Sequence, residues 1–170
     1  MVLDGFSPGS GRRPARAFLR SDAAHIDLDG TWRFRLAATA RQPTPGFQSA
    51  DFDDAAWADI AVPGHWQLQG WGAPAYTNVN YPFPVDPPHV PDENPTGEYR
   101  REFTVDDDFP AGAAVLRFDG VDSAFTAWCN GVELGWSTGS RLPVEFDVGT
   151  LLRPGRNVVA VRVHLSLIHI

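Results

Sequence analysis

Along most of this chain apolar residues recur at every second position, and almost nowhere at every third or fourth. In "GTWRFRL", Trp32, Phe34 and Leu36 alternate with Arg33 and Arg35. A strand sends successive side chains to opposite faces, so this spacing predicts a strand with an apolar side inside and a charged side outside. "EYRREFTV" alternates Tyr99, Arg101, Phe103 and Val105 with polar partners, and "AVLRFDGV" sets Ala114, Leu116 and Phe118 on one face. "SAFTAWCNGVELGW" reads as a hairpin closed at Asn130-Gly131, because both residues tolerate the positive φ of a type I′ turn. "LPVEFDV" and "NVVAVRV", joined through "LLRPGR", add two strands. The one helical candidate is "SADFDDAAW", Ser49 to Trp57, where Ser49 or Asp51 would cap a single turn. Seven or so strands with almost no helix imply one all-β domain, a β-sandwich or jelly roll.

A chain of 170 residues with six tryptophans can bury a real core. Its net charge of −7 argues against nucleic acid or an anionic membrane as partner. All fourteen basic residues are arginine; Arg12, Arg13, Arg16 and Arg20 form a short basic arm, read as a solvated tail. Cys129 is the only cysteine, so no internal disulfide forms. No apolar run is long enough for a membrane helix, and Met1 to Arg20 has no apolar leader segment. A reducing cytoplasm is the expected location.

Seven of the fifteen prolines fall between Pro74 and Pro95. The same region carries Tyr76, Val79, Tyr81 and Phe83, with Trp66 and Trp71 just before it. Disordered linkers are poor in aromatic residues. Loops longer than about fifteen residues are uncommon in compact domains unless they are functional. Three readings compete: a polyproline ligand built on Pro84–Pro87 and Pro88–Pro91, a structural loop, and a binding loop. Polyproline ligands are ordinarily exposed and basic, whereas this stretch is acidic and aromatic. An ordered binding loop is favoured.

No nucleophile elbow, zinc-protease, P-loop or paired-cysteine motif occurs. Asp53, Asp54, Asp92, Glu93 and Asp106 to Asp108 sit in turns or charge runs and read as solvated. His65 and His89 read as structural. Tryptophans left exposed would stack on the C–H face of a sugar; as core they would not. No catalytic residue is assigned.

Longer motifs carry a resemblance. "FDDAAWADIAVPGHWQLQGW" (Phe52 to Trp71) resembles the opening signature of glycoside hydrolase family 2. "APAYTNVNYPFPVDPPHVPDENPTGEYRREF", "FDGVDSAFTAWCNG" and "GSRLPVEFDV" are similar to the N-terminal sugar-binding domain of its LacZ-type β-galactosidases. The likeness runs from about Asp27 to about His164. It implies a jelly-roll-type, galactose-binding-domain-like β-sandwich over residues 25–164, incomplete at its C-terminus, after an arm over residues 1–24. It implies a parent enzyme that cleaves terminal β-D-galactosides such as lactose with retention, as a homo-oligomer. The two catalytic glutamates would belong to a separate TIM barrel, so the isolated chain is expected to be inactive.

The family's Y-T-N-V asparagine contacts the galactosyl group, which implies a substrate-binding role for Asn78, with Val79 beside it. Magnesium and sodium are implied for the parent enzyme. The family often has G-Q-D-S-R where this chain has Ser137 to Arg141, so Thr138 replaces a glutamine of a peripheral magnesium site, and no metal ligand is assigned. Leu165 to Ile170 is what CTG-TCT-CTT-ATA-CAC-ATC encodes; that resembles a transposon end used in sequencing libraries and suggests a non-native tail. Two rivals remain: a free-standing lectin-like module, and a domain of another family 2 glycosidase such as a β-glucuronidase or β-mannosidase.

Overall fold

The computed structural model describes residues 7–16, 21–73 and 94–165. Among the described residues nine strands form two antiparallel sheets: β1 (Gly9–Ser10), β2 (Gly30–Ala37), β3 (Ala58–Val62), β4 (Thr96–Val105), β5 (Val115–Phe118), β6 (Ala124–Cys129), β7 (Val132–Ser137), β8 (Val144–Asp147) and β9 (Gly155–His164). The larger sheet runs β1-β7-β6-β9-β4-β2-β3; the smaller is β5-β8. This is the all-β sandwich expected from the alternation. The helical candidate at 49–57 is irregular turn, and "ADIAV", unassigned from the sequence, is β3. Ser49 and Asp53 do accept from backbone N–H groups, of Asp51 and Ala55, but each closes a turn two residues long rather than a helix.

Register explains the packing. Phe34 faces Tyr99, Tyr99 faces Val161, and Val161 faces Ala127, so these four lie on one face of the larger sheet. With Trp32, Phe125, Val163 and the small sheet's Phe146 they belong to the inner core. On the other face one row reads Arg35, Glu98, Arg162, Thr126, and the next Arg33, Arg100, Ala160, Trp128. The pattern predicts solvent on this charged face. Instead, the connection between β2 and β3 folds across it and buries Phe47 against Trp128 and Ala160, with Phe52 and Trp57 alongside. The result inverts the alternation in β4: Glu98 and Arg100 are buried, whereas Tyr99 and Phe103 are only partly so.

Charge satisfaction makes that inversion tolerable. Glu98 accepts from Arg35 (3.3 Å), Arg162 (3.1 Å), the Thr44 hydroxyl and the Thr44 N–H (3.0 Å). The Arg100 guanidinium donates to Asp54 Oδ2 (2.7 Å) and to the carbonyls of Phe47, Ser49 (2.8 Å) and Phe52 (3.4 Å). Asp54, read as solvated, is therefore the anion paired with a buried arginine. The Arg162 guanidinium lies 4.7 Å from the Phe47 ring centroid, a cation–π contact.

The basic arm is also not a free tail. Gly9 and Ser10 pair with Ser137 and Trp136 at the edge of the large sheet. Two residues on, Arg12 bridges Phe146 and the Arg13 N–H donates to the Glu145 carbonyl (2.8 Å) at the edge of the small sheet. Arg16 grips both oxygens of the Glu145 carboxylate (2.7 and 2.8 Å), which Arg117 also reaches (3.2 Å). These contacts favour the ionised form and hold the Glu145 carboxyl below its ordinary pKa. The strap comes so close that a Cβ on Gly135 would lie 2.0 Å from the Ser10 carbonyl oxygen.

The hairpin between β6 and β7 turns at Asn130 (φ 50°) and Gly131 (φ 85°), as its sequence predicts. Asn130 also works at a distance. Its amide donates to the Leu151 carbonyl (2.9 Å) and to Asn157 Oδ1 (2.8 Å), and accepts from the Val158 N–H (2.9 Å). Asn157 in turn closes the β8–β9 connection on Arg153 and Gly155.

Candidate functional site

Asn78 and Val79, with most of the proline-rich stretch, lie outside the described residues. The structure does show what flanks them. On one side, the 3₁₀ turn Trp66–Gln69 places Trp66 and Trp71 against Phe34 (centroids 6.0 and 5.2 Å). Tyr99 stacks on Trp66 and meets Phe34 at 4.7 Å, and burial pushes its phenol pKa up. On the other side, Asn94 is buried and Thr96 opens β4 opposite His164 at the end of β9. The Leu165 N–H donates to the Pro95 carbonyl (3.0 Å).

Thr96 and His164 form a clasp. The Thr96 hydroxyl donates to the Asn94 carbonyl (3.1 Å), and its oxygen lies 3.0 Å from His164 Nδ1. The hydroxyl proton being used, Nδ1–H donates to that oxygen and the ring is neutral. Burial, with the nearby Arg162 charge, lowers the His164 pKa to about 4. In the unfolded chain the ring titrates near 6.5. Burial of the neutral ring therefore carries no pH penalty above pH 6.5. As pH falls from 6.5 to about 4 the unfolded chain takes up the proton and the folded one does not, which removes about 3 kcal/mol of stability in total. Urea unfolding across that range should show this loss, and H164N should remove most of it. Equal pH slopes for the two proteins would contradict the assignment.

Between the sheets lies an open groove of about 780 Å³. Leu28, Val62, Leu116, Val161, Val163 and Leu165 are among its walls; Asp29, His65, Asp119 and Arg141 stand among its lining. No tryptophan is exposed: Trp32, Trp66 and Trp128 are core and the other three half-buried, so the stacking platform considered from sequence is not offered. The two carboxylates buried among the described residues, Glu98 and Glu145, are each held by two arginines and have structural work. Burial raises the Cys129 thiol to about 11, so it is a poor nucleophile.

Among the described residues no three or more His, Cys, Asp and Glu side chains are arranged to hold a metal ion. The Thr138 hydroxyl donates to the Pro8 carbonyl (3.3 Å). No helix among these residues is long and apolar enough to cross a membrane.

Over the described residues, then, the chain is an antiparallel β-sandwich whose buried carboxylates are held by arginines. The chain belongs to glycosyl hydrolases family 2, as its sugar binding domain: that family's profile matches residues 26–168. Among curated relatives, a β-galactosidase of Arthrobacter sp. (strain B7) is 52% identical, the match covering 92% of this chain and 17% of that protein. A β-galactosidase of Psychromonas ingrahamii is 49% identical over 95% of this chain and 16% of its own length. The chain thus spans about a sixth of these relatives. Among solved structures, a β-glucuronidase from Ruminococcus gnavus in complex with D-glucaro 1,5-lactone shares the fold. It has a TM-score of 0.62 and 22% identity, over 86% of this chain and 23% of that one.

Proposed function

We propose that this chain is the N-terminal sugar-binding domain of a cytoplasmic, homo-oligomeric β-galactosidase that hydrolyses terminal non-reducing β-D-galactosides with retention. The observation that carries this reading is the pair of relatives named β-galactosidase, about half identical over nearly the whole chain. The solved β-glucuronidase is far more distant in sequence, which favours the galactosidase branch. A buried lone cysteine suits a reducing compartment.

Asn78, with Val79 beside it, would be this domain's contribution to the substrate. An amide both donates to and accepts from sugar hydroxyls, so it suits recognition without chemistry. Catalysis would rest with glutamates elsewhere in the parent chain. Two measurements test the proposal. The purified 170-residue chain should not turn over a chromogenic β-galactoside. In the full-length protein, N78A should lower kcat/KM for the galactoside by about tenfold, the worth of one well-placed hydrogen bond. An unchanged kcat/KM would remove Asn78 from the site; a full-length protein that prefers a β-glucuronide would refute the substrate.

A further inference from the structure

Asparagine is a chemically labile residue where the next residue leaves room for attack on its side chain. The sequence has five asparagines, and Asn130 is the one followed by glycine. Asn94 precedes proline, which has no backbone N–H to become a nucleophile. Asn78 and Asn157 precede valine, whose branched Cβ crowds the nitrogen, and Asn80 precedes tyrosine. At Gly131 no Cβ stands in the way. The residue is exposed, and the nearest atoms to the place a Cβ would take are 3.7 Å off, in Gln48 and Ser49.

The reaction open to such a pair is intramolecular. The Gly131 nitrogen gives its proton to solvent base, attacks Asn130 Cγ and forms a new C–N bond. The Cγ–Nδ2 bond breaks and Nδ2 leaves as ammonia. Water then opens the succinimide ring at one of its two carbonyls, giving aspartate or isoaspartate. One water is consumed and one ammonia released, with no oxidation or reduction.

The fold holds this chemistry back. Nδ2, the leaving group, donates to the Leu151 carbonyl (2.9 Å) and to Asn157 Oδ1 (2.8 Å). Oδ1 accepts from the Val158 N–H (2.9 Å), and the Asn130 N–H donates to the Val158 carbonyl (2.8 Å). Cγ is thus tied to the β8–β9 connection and to β9. Closing the ring onto Gly131 draws the amide off all three side-chain partners.

We infer that Asn130-Gly131 is a site of spontaneous deamidation, unlocked when the β8–β9 connection releases the Asn130 amide. The change runs one way. An aspartate carboxylate has no N–H for Leu151 or Asn157, and isoaspartate adds a main-chain carbon to a two-residue turn. Neither product docks again as Asn130 does, so a chain that has opened is left both marked and open. The inference concerns the durability of the domain and is independent of the parent enzyme's substrate.

The test incubates the 170-residue chain at mildly alkaline pH, native and in denaturing urea. Peptide mass spectrometry locates each conversion of amide to acid, and an isoaspartate methyltransferase assay identifies the isomer. In urea, Asn130 should be the first asparagine modified. In the native chain it should react about 100-fold more slowly, the effect of three side-chain hydrogen bonds. At urea concentrations below the unfolding transition, its rate should rise in step with exchange of the Val158 amide proton, which the Asn130 side chain holds. N157A takes one acceptor from Nδ2 and should speed the native reaction about tenfold. If N157A unfolds, the urea series on the unaltered chain still decides. Modified chains, separated by ion exchange, should have lost protection at Val158. Three results would overturn the inference: equal rates in native and unfolded chain; deamidation insensitive to the opening seen at Val158; or modified chains whose Val158 amide exchanges as slowly as before.

Discussion

Replacing Glu98 by alanine is expected to cost about 3–5 kcal/mol of folding stability, measured by urea unfolding. Glu98 is fully buried and is the anion between Arg35 on one neighbouring strand and Arg162 on the other. Its loss leaves Arg162, only 19% exposed, without its carboxylate, and the Thr44 N–H without its acceptor. The penalty is that of an uncompensated charge rather than the worth of a contact. The comparison is E102A, four residues along the same strand. Glu102 pairs with Arg156 at 2.7 Å, but both side chains are about half exposed, so the cost should stay under about 1 kcal/mol. Similar losses at the two positions would show that the covering connection does not desolvate Glu98.

The second large effect is expected at Arg100, with a cost again of about 3–5 kcal/mol for R100M. Methionine keeps much of the apolar stem but none of the donors. The carbonyls of Phe47 and Ser49 and the carboxylate of Asp54 then lose their shared partner. Hydrogen exchange should show where the damage lies: residues 44–57 lose protection while the β4–β9 ladder keeps it. R100K should recover little, because a compact ammonium cannot reach three acceptors that a planar fork spans. Uniform loss of protection across the sheet would mean that Arg100 supports the strand rather than the connection above it.

These two residues mark where the sequence stops being legible. Strand positions follow from a period of two that is local, so β2, β4, β5, β6, β7, β8 and β9 could be placed from their own residues. The hairpin turn was equally local. Burial of Glu98 and Arg100 was not, because it depends on a connection some fifty residues earlier folding back over them. The same alternation that located β4 gave the wrong order of burial for its two faces. β3 escaped because Ala61 breaks the apolar–polar alternation of "ADIAV", and β1 because two residues offer no pattern. The strap's arginines look like any basic tail until Glu145 and Asp147 are placed opposite them. For the site, composition and spacing gave only an aromatic, proline-rich loop. Asn78 came from resemblance, since a single asparagine carries no periodic signal.

Asn130 shows how one letter comes to be chosen twice. The turn it opens would accept glycine or aspartate, and on that criterion alone the position is free to drift. The loop on which its amide closes, at Leu151 and Asn157, accepts neither: glycine offers no donor, and aspartate would set a carboxylate against the Asn157 oxygen. Substitutions at this position should therefore be tolerated only together with changes some twenty to thirty residues away. One side chain thus couples the hairpin to the β8–β9 connection.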